Sequence, residues 1–158
     1  MLVINFKTYK LGDKALELSR LIEKKHPKAI VCASSIDLET LHQKTSLEIF
    51  AQHVDLIKGR RGTGYVTPES IKTSGASGTL LNHFEHQIPL WHIKKAVKRC
   101  KVLGLKTIVC VKNLKEAKKV LKIKPYAIAF EAPSLIESGK SITDHKREEV
   151  LEFVKLFL

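Results

Sequence analysis

Four groups of polar residues have the types and spacing for chemistry on a small anionic molecule. In Asn5-Phe6-Lys7 an amide and an ammonium project from one side of a strand end with Phe6 opposite, an arrangement suited to holding an anion. Ala51-Gln52-His53-Val54-Asp55 follows a second apolar run and leads to Gly62-Thr63-Gly64 and Pro68-Glu69. In Leu81-Asn82-His83-Phe84-Glu85 an imidazole and a carboxylate come directly after a buried strand, a placement that serves acid-base chemistry. Phe130-Glu131-Ala132-Pro133 puts a carboxylate at a strand end, and the loop Ser134-Leu135-Ile136-Glu137-Ser138-Gly139 follows it. A lone histidine or glutamate of this kind usually caps a helix or bonds to backbone. All four groups, however, fall at the carboxyl ends of successive short apolar runs, where ligands bind in parallel α/β sheets and barrels.

Those runs must position the groups. Leu2 to Phe6, Ala29 to Ala33, Leu47 to Ala51, Gly78 to Asn82, Thr107 to Val111 and Ala127 to Glu131 read as strands covered on both faces. Segments of helical periodicity alternate with them, the signature of parallel α/β architecture. The first helix starts near Asp13 as N-cap and lines up Leu16, Leu18, Leu21 and Ile22 against the sheet. Asp37 and Pro68 mark further starts. Pro89 opens a helix with Leu90, Ile93, Val97 and Cys100 at helical spacing, and a last helix runs from near Asp144 to Phe157-Leu158. The six units form one domain of 158 residues, an incomplete (β/α)8 arrangement lacking a seventh and eighth unit, because a full barrel takes at least about 200 residues.

Composition narrows the function classes. With 44% hydrophobic and 28% charged residues the chain is globular, and no apolar stretch is long enough to span a membrane. The N-terminus lacks a signal peptide's pattern, so a cytoplasmic location is expected. Cys32, Cys100 and Cys110 are widely spaced and form no CxxC pair, which predicts reduced, mostly buried thiols. The net charge of +12 is concentrated between His92 and Pro125, where twelve basic residues meet the single acid Glu116. Without aromatic residues among them to stack on bases, these read as the outer faces of two helices, and a nucleic-acid partner has little support. Nor is there a Gly-rich nucleotide loop.

In this order and spacing, Ile4-Asn5-Phe6-Lys7-Thr8-Tyr9, Ala51-Gln52-His53-Val54-Asp55, Thr63-Gly64, Leu80-Leu81-Asn82-His83, Gly104-Leu105, Val109-Cys110-Val111 and Ala129-Phe130-Glu131-Ala132-Pro133 resemble the triosephosphate isomerase family, its archaeal branch above all. The resemblance implies a TIM-barrel-like fold and interconversion of glyceraldehyde 3-phosphate and dihydroxyacetone phosphate through an enediolate, without cofactor or metal. It makes Glu131 the general base and His83 the neutral electrophile, roles that family is known for, and Lys7 the cation that steadies enediolate and phosphate. Asn5 then positions the substrate, Glu85 stands near Lys7, and Pro133 to Gly139 forms a closing lid in which Ser138 and Gly139 approach the substrate. A carbon acid needs a shielded carboxylate and an electrophile facing the developing oxyanion, which is the division between Glu131 and His83.

Four departures from the family pattern qualify this. Phe84 stands where a small hydroxyl residue follows the histidine, which requires a different polar network. Glu137-Ser138-Gly139 replaces the usual Gly-Thr-Gly hinge and sets an anion where phosphate approaches. Ala132-Pro133 replaces two prolines. The absent last units are the family's main source of phosphate-binding backbone N–H groups. Exposed edges are therefore expected at the first and sixth strands, with a homo-oligomer or a second chain to complete the unit. The alternative reading is a catalytically impaired relic or binding module of the same fold that needs a partner chain to bind phosphate.

Overall fold

The structure, a computed structural model, describes residues 1–57, 61–136 and 138–157. Its centre is a sheet of six strands: β1 (Val3–Asn5), β2 (Ile30–Ala33), β3 (Glu48–Ala51), β4 (Gly78–Leu81), β5 (Lys106–Val111) and β6 (Ala127–Phe130). All neighbours are parallel and lie in chain order. Each strand sits within a residue or two of its apolar run.

Side chains alternate across this sheet, and the two faces form two distinct cores. On one face Ile30, Cys32, Phe50, Leu80 and Ile108 pack together, with Val3, Ala127 and Ala129 at the margins. On the other, Val31, Ala33, Ile49, Ala51, Leu81, Val109 and Val111 meet the helices. Gly78 is required on the first face, since a Cβ there would run into the Phe50 ring and the Lys106 carbonyl. Period two then aims Asn5 with Val3, and Glu131 with Ala127 and Ala129, toward the first face.

The helices are α1 (Asp13–Lys25), α2 (Leu38–Lys44), α3 (Pro68–Thr73), α4 (Leu90–Val102), α5 (Leu114–Leu121), α6 (Ile142–His145) and α7 (Arg147–Lys155), with a 3-10 turn at Pro133–Leu135. Several expectations about them need correction. Asp13 is the first helical residue and not the cap; Gly12 precedes the helix at φ 55° without a side-chain cap. Leu21 is exposed while Ser19 is buried, so the apolar stripe of α1 is narrower than its leucines suggest. Asp37 does precede α2, but its carboxylate accepts from Gly12 N–H and so ties α1 to α2. Leu90 is largely exposed, leaving Ile93, Ala96, Val97 and Cys100 as the buried face of α4. The last helix is two pieces, broken at Lys146, whose backbone leaves the helical region at φ −136° and ψ 41°.

Strands β2 to β5 are almost wholly buried, whereas every residue of β1 and β6 is half-exposed. Among the described residues each of these outer strands is paired on one side only, as a sheet open at both edges requires. Apolar side chains continue this exposure at Leu2, Leu151, Val154 and Phe157. The lysines of α4 and α5, Lys94, Lys98, Lys115, Lys118 and Lys122 among them, occupy exposed positions. No helix of the described residues is long and apolar enough to cross a membrane.

Candidate active site

The carboxyl ends of β1, β3 and β4 surround a cavity of about 630 Å³ lined by Asn5, Lys7, Gln52, His53, His83 and Glu85, with Ser34 and Ser35 after β2. Lys7 has φ 49°, an unusual conformation for a side-chain-bearing residue. Three hydrogen bonds hold this segment. Lys7 N–H donates to Asn5 Oδ1 at 3.0 Å, and the Gln52 amide donates to the same oxygen at 3.1 Å and to the Lys7 carbonyl at 2.8 Å. The neighbouring strands thereby fix where the ammonium emerges. Lys7 Nζ then reaches Glu85 Oε1 at 2.8 Å and lies 5.7 Å from the centre of the Tyr9 ring.

Asn82 ends β4 in the left-handed region, φ 60°, which asparagine tolerates better than most residues. Its amide donates to the Cys110 carbonyl at 2.9 Å and its Oδ1 accepts from Ile88 N–H at 3.0 Å. The next four residues therefore form a turn anchored at its base. Within that turn Glu85 N–H donates to His83 Nδ1 at 3.2 Å. A ring nitrogen that accepts carries no proton, so the neutral His83 ring bears its hydrogen on Nε2. That nitrogen stands 3.3 Å from Glu131 Oε1, and the other Glu131 oxygen accepts from Phe84 N–H at 2.9 Å. Phe84 thus supplies by its backbone the donor that a hydroxyl residue would supply by its side chain, while its own ring is substantially exposed.

The site residues expected from sequence divide into two groups. Asn5, Lys7, His83, Glu85 and Glu131 come together in one connected network, although Glu131 stands behind His83 and does not line the cavity. Ser138 and Gly139 stay outside it. Both are exposed, and the Ser138 hydroxyl donates to the Leu135 carbonyl at 2.6 Å and accepts from Lys140 N–H at 3.1 Å. Glu137, the anionic residue of the hinge, lies outside the described residues.

Sequence reasoning singled out Gln52 and His53 within the second group without giving either a role, and placed no weight on Ser34 and Ser35 or on a group of three imidazoles. His53 and His86 stack with ring centres 3.9 Å apart, and His92 of α4 lies 6.4 Å from His53. Asp55 approaches His53 Nε2 at 3.4 Å. Burial, followed by the neighbouring His86, pulls His53 below the ordinary imidazole range against the opposing pull of Asp55. His92 is lowered as well, mainly by burial. The three cysteines are buried, as expected, and burial pushes Cys32 and Cys100 up to about 12. Cys110 is raised further, by burial and then by the adjacent Glu131 carboxylate.

Parallel strands in chain order, with an ammonium, an imidazole and a carboxylate gathered beyond their carboxyl ends, define an α/β barrel-type chain with titratable groups at the end of the sheet where such folds bind ligands. The family model of triosephosphate isomerase matches residues 1–158, and this chain belongs to that family. The triosephosphate isomerase of Methanocaldococcus jannaschii is 35% identical over 156 residues, which cover 95% of this chain and 71% of that protein. That of Sulfurisphaera tokodaii is 36% identical over 160 residues, covering 98% and 70%. Among solved structures, triosephosphate isomerase from Bartonella henselae superposes with a TM-score of 0.69 at 18% identity, over 82% of this chain and 66% of the other. The six strands thus correspond to part of a TIM barrel.

Proposed function

We propose that this chain interconverts glyceraldehyde 3-phosphate and dihydroxyacetone phosphate, with Glu131 and His83 exchanging protons and Lys7 holding negative charge. The observation that carries the reading is the His83 geometry. Its Nδ1 is engaged by a backbone N–H, so its Nε2–H, which faces Glu131 Oε1 at 3.3 Å in the resting site, is the end that a substrate oxygen takes over once that carboxylate moves to the substrate. Glu131 releases Phe84 N–H, takes the proton from the carbon beside the carbonyl, and the electron pair moves onto the carbonyl oxygen to give the enediolate. His83 stabilises that oxygen and carries a proton between the two substrate oxygens. Glu131 then returns its proton to the neighbouring carbon, and nothing is consumed. Lys7 offsets the charge of enediolate and phosphate, Asn5 and Glu85 keep Lys7 in place, and the loop with Ser138 and Gly139 closes over the substrate.

In the same reading the chain works as one domain in the cytoplasm. The half-exposed apolar strands β1 and β6 are covered by self-association or by a second chain, since an open parallel edge flanked by apolar side chains favours pairing. A second reading, a binding module impaired in catalysis, draws on Glu131 being engaged away from the cavity and on Ser138 bonding within its own loop. Steady-state turnover of either triose phosphate separates the two. The first expects a rate that Glu131→Gln lowers by roughly a hundredfold to ten-thousandfold, and the second expects binding with no difference between the proteins.

A further inference from the structure

The turn from His83 to His86 holds both proposed proton-transfer groups through its backbone. Phe84 N–H holds Glu131, Glu85 N–H holds His83 Nδ1, and His86 N–H donates to the His83 carbonyl at 2.8 Å to close the turn. At its base the turn is fixed by Asn82. Away from that base two side-chain contacts hold the turn: Glu85 pairs with Lys7 at 2.8 Å, and the His86 ring lies on His53 at 3.9 Å, with the planes inclined by 24°. His53 itself is firmly seated. It is half-buried on the segment after β3, beside Asp55, whose other oxygen accepts from Val66 N–H at 2.9 Å.

We infer that His86 is a positioning residue for the isomerisation: its ring, stacked on His53, pins the turn that sets the His83 tautomer and the resting place of Glu131. The inference rests on the proposed roles of His83 and Glu131. A hydrocarbon ring would pin the turn equally well at one pH, but two imidazoles make the pinning depend on protons. Two rings 3.9 Å apart cannot both carry a proton without repulsion. The charged and titratable groups facing them are Asp55 from the segment after β3, His92 and Lys95 from α4, His83 and Glu85 within the turn, and Lys7 across the cavity. Asp55 is the carboxylate beside His53, while His92 adds a further cation when it protonates. Protonation of His53 on acidification therefore sets a cation against the His86 ring, and the turn loses one of its two outer contacts.

The test is nuclear magnetic resonance of the whole chain labelled in its histidine rings, followed from pH 8 to pH 5 in the wild type, His86→Phe and His86→Ala. His86 is exposed, so neither substitution removes core packing. In the wild type the His83 ring signals are expected to shift together with protonation of His53. In His86→Phe, which keeps a stacking ring without a proton, that coupled shift disappears while the pH 8 signals stay near wild type. In His86→Ala the His83 signals are displaced at every pH. Identical His83 signals in all three proteins overturn the inference, whether or not the chain turns over substrate. Turnover adds a second readout: His86→Ala lowers kcat on the order of tenfold with KM little changed, and His86→Phe restores it. Failure of the functional reading shows separately, as absence of turnover in the wild type.

Discussion

Glu85 contributes to the site in three ways that need different atoms. Its backbone N–H sets the His83 tautomer, Oε1 pairs with Lys7 at 2.8 Å, and Oε2 lies 3.4 Å from His83 Nδ1. Glu85→Gln keeps the backbone bond and removes the charge opposite Lys7. It is therefore expected to raise KM for the triose phosphates several-fold and to leave the His83 tautomer intact, as read by steady-state kinetics and ring nitrogen shifts. Lys7→Met removes the cation itself and is expected to reduce kcat/KM by a hundredfold or more, because charge stabilisation at the reacting oxygen goes with it. The cysteines make a separate expectation. Raised to about 12 or beyond by burial, Cys32, Cys100 and Cys110 hold almost no thiolate at neutral pH. A disulfide-exchange reagent should find no fast-reacting thiol in the folded chain and three after denaturation; rapid modification of any one shows that its packing opens readily.

Among the elements, β3, β4 and β5 come into tight contact at Gly78. Gly78→Ala forces the Phe50 ring or the Lys106 carbonyl to move and is expected to destabilise the fold by about 1–3 kcal/mol in urea unfolding. Asn113 caps α5 by accepting Glu116 N–H at 2.9 Å, so Asn113→Ala should cost about 1 kcal/mol without touching the site. All six strands were legible in the sequence because each is a short, almost wholly apolar run between segments of helical periodicity, whereas the close approach at Gly78 and the Asn113 cap of α5 were not read from it. Nor was the break of the last helix at Lys146, since neither proline nor glycine marks it. The site divides in the same way. Asn5, Lys7, His83, Glu85 and Glu131, the proposed site, were singled out because each closely follows an apolar run and because together they resemble the family pattern. The His53–His86 stack joins residues thirty-three apart through ring packing that no periodicity encodes. Phe84 was legible as a missing hydroxyl and not as a backbone donor, because sequence shows side chains alone.

At the scale of the whole molecule, two features set behaviour in solution. His53 and His92 are held below the ordinary imidazole value, so the folded chain favours their neutral forms over the unfolded chain. Their contribution is complete above the unfolded pKa of about 6.5 and is lost as pH falls through the lower folded values. Thermal unfolding is expected to shift downward between pH 6.5 and 5, and His53→Gln is expected to flatten that dependence. The open edges make the second expectation: light scattering should give a mass above 17.8 kDa at micromolar concentration, and charged substitutions of exposed apolar side chains, such as Leu151→Lys or Val154→Lys on α7, should lower it. The central claim is that Glu131 and His83 on this chain isomerise a triose phosphate, and the most direct measurement is turnover of glyceraldehyde 3-phosphate by the purified chain beside Glu131→Gln. Turnover in the wild type, lost by at least a hundredfold in the variant, is the expected result; equal rates in the two proteins contradict it.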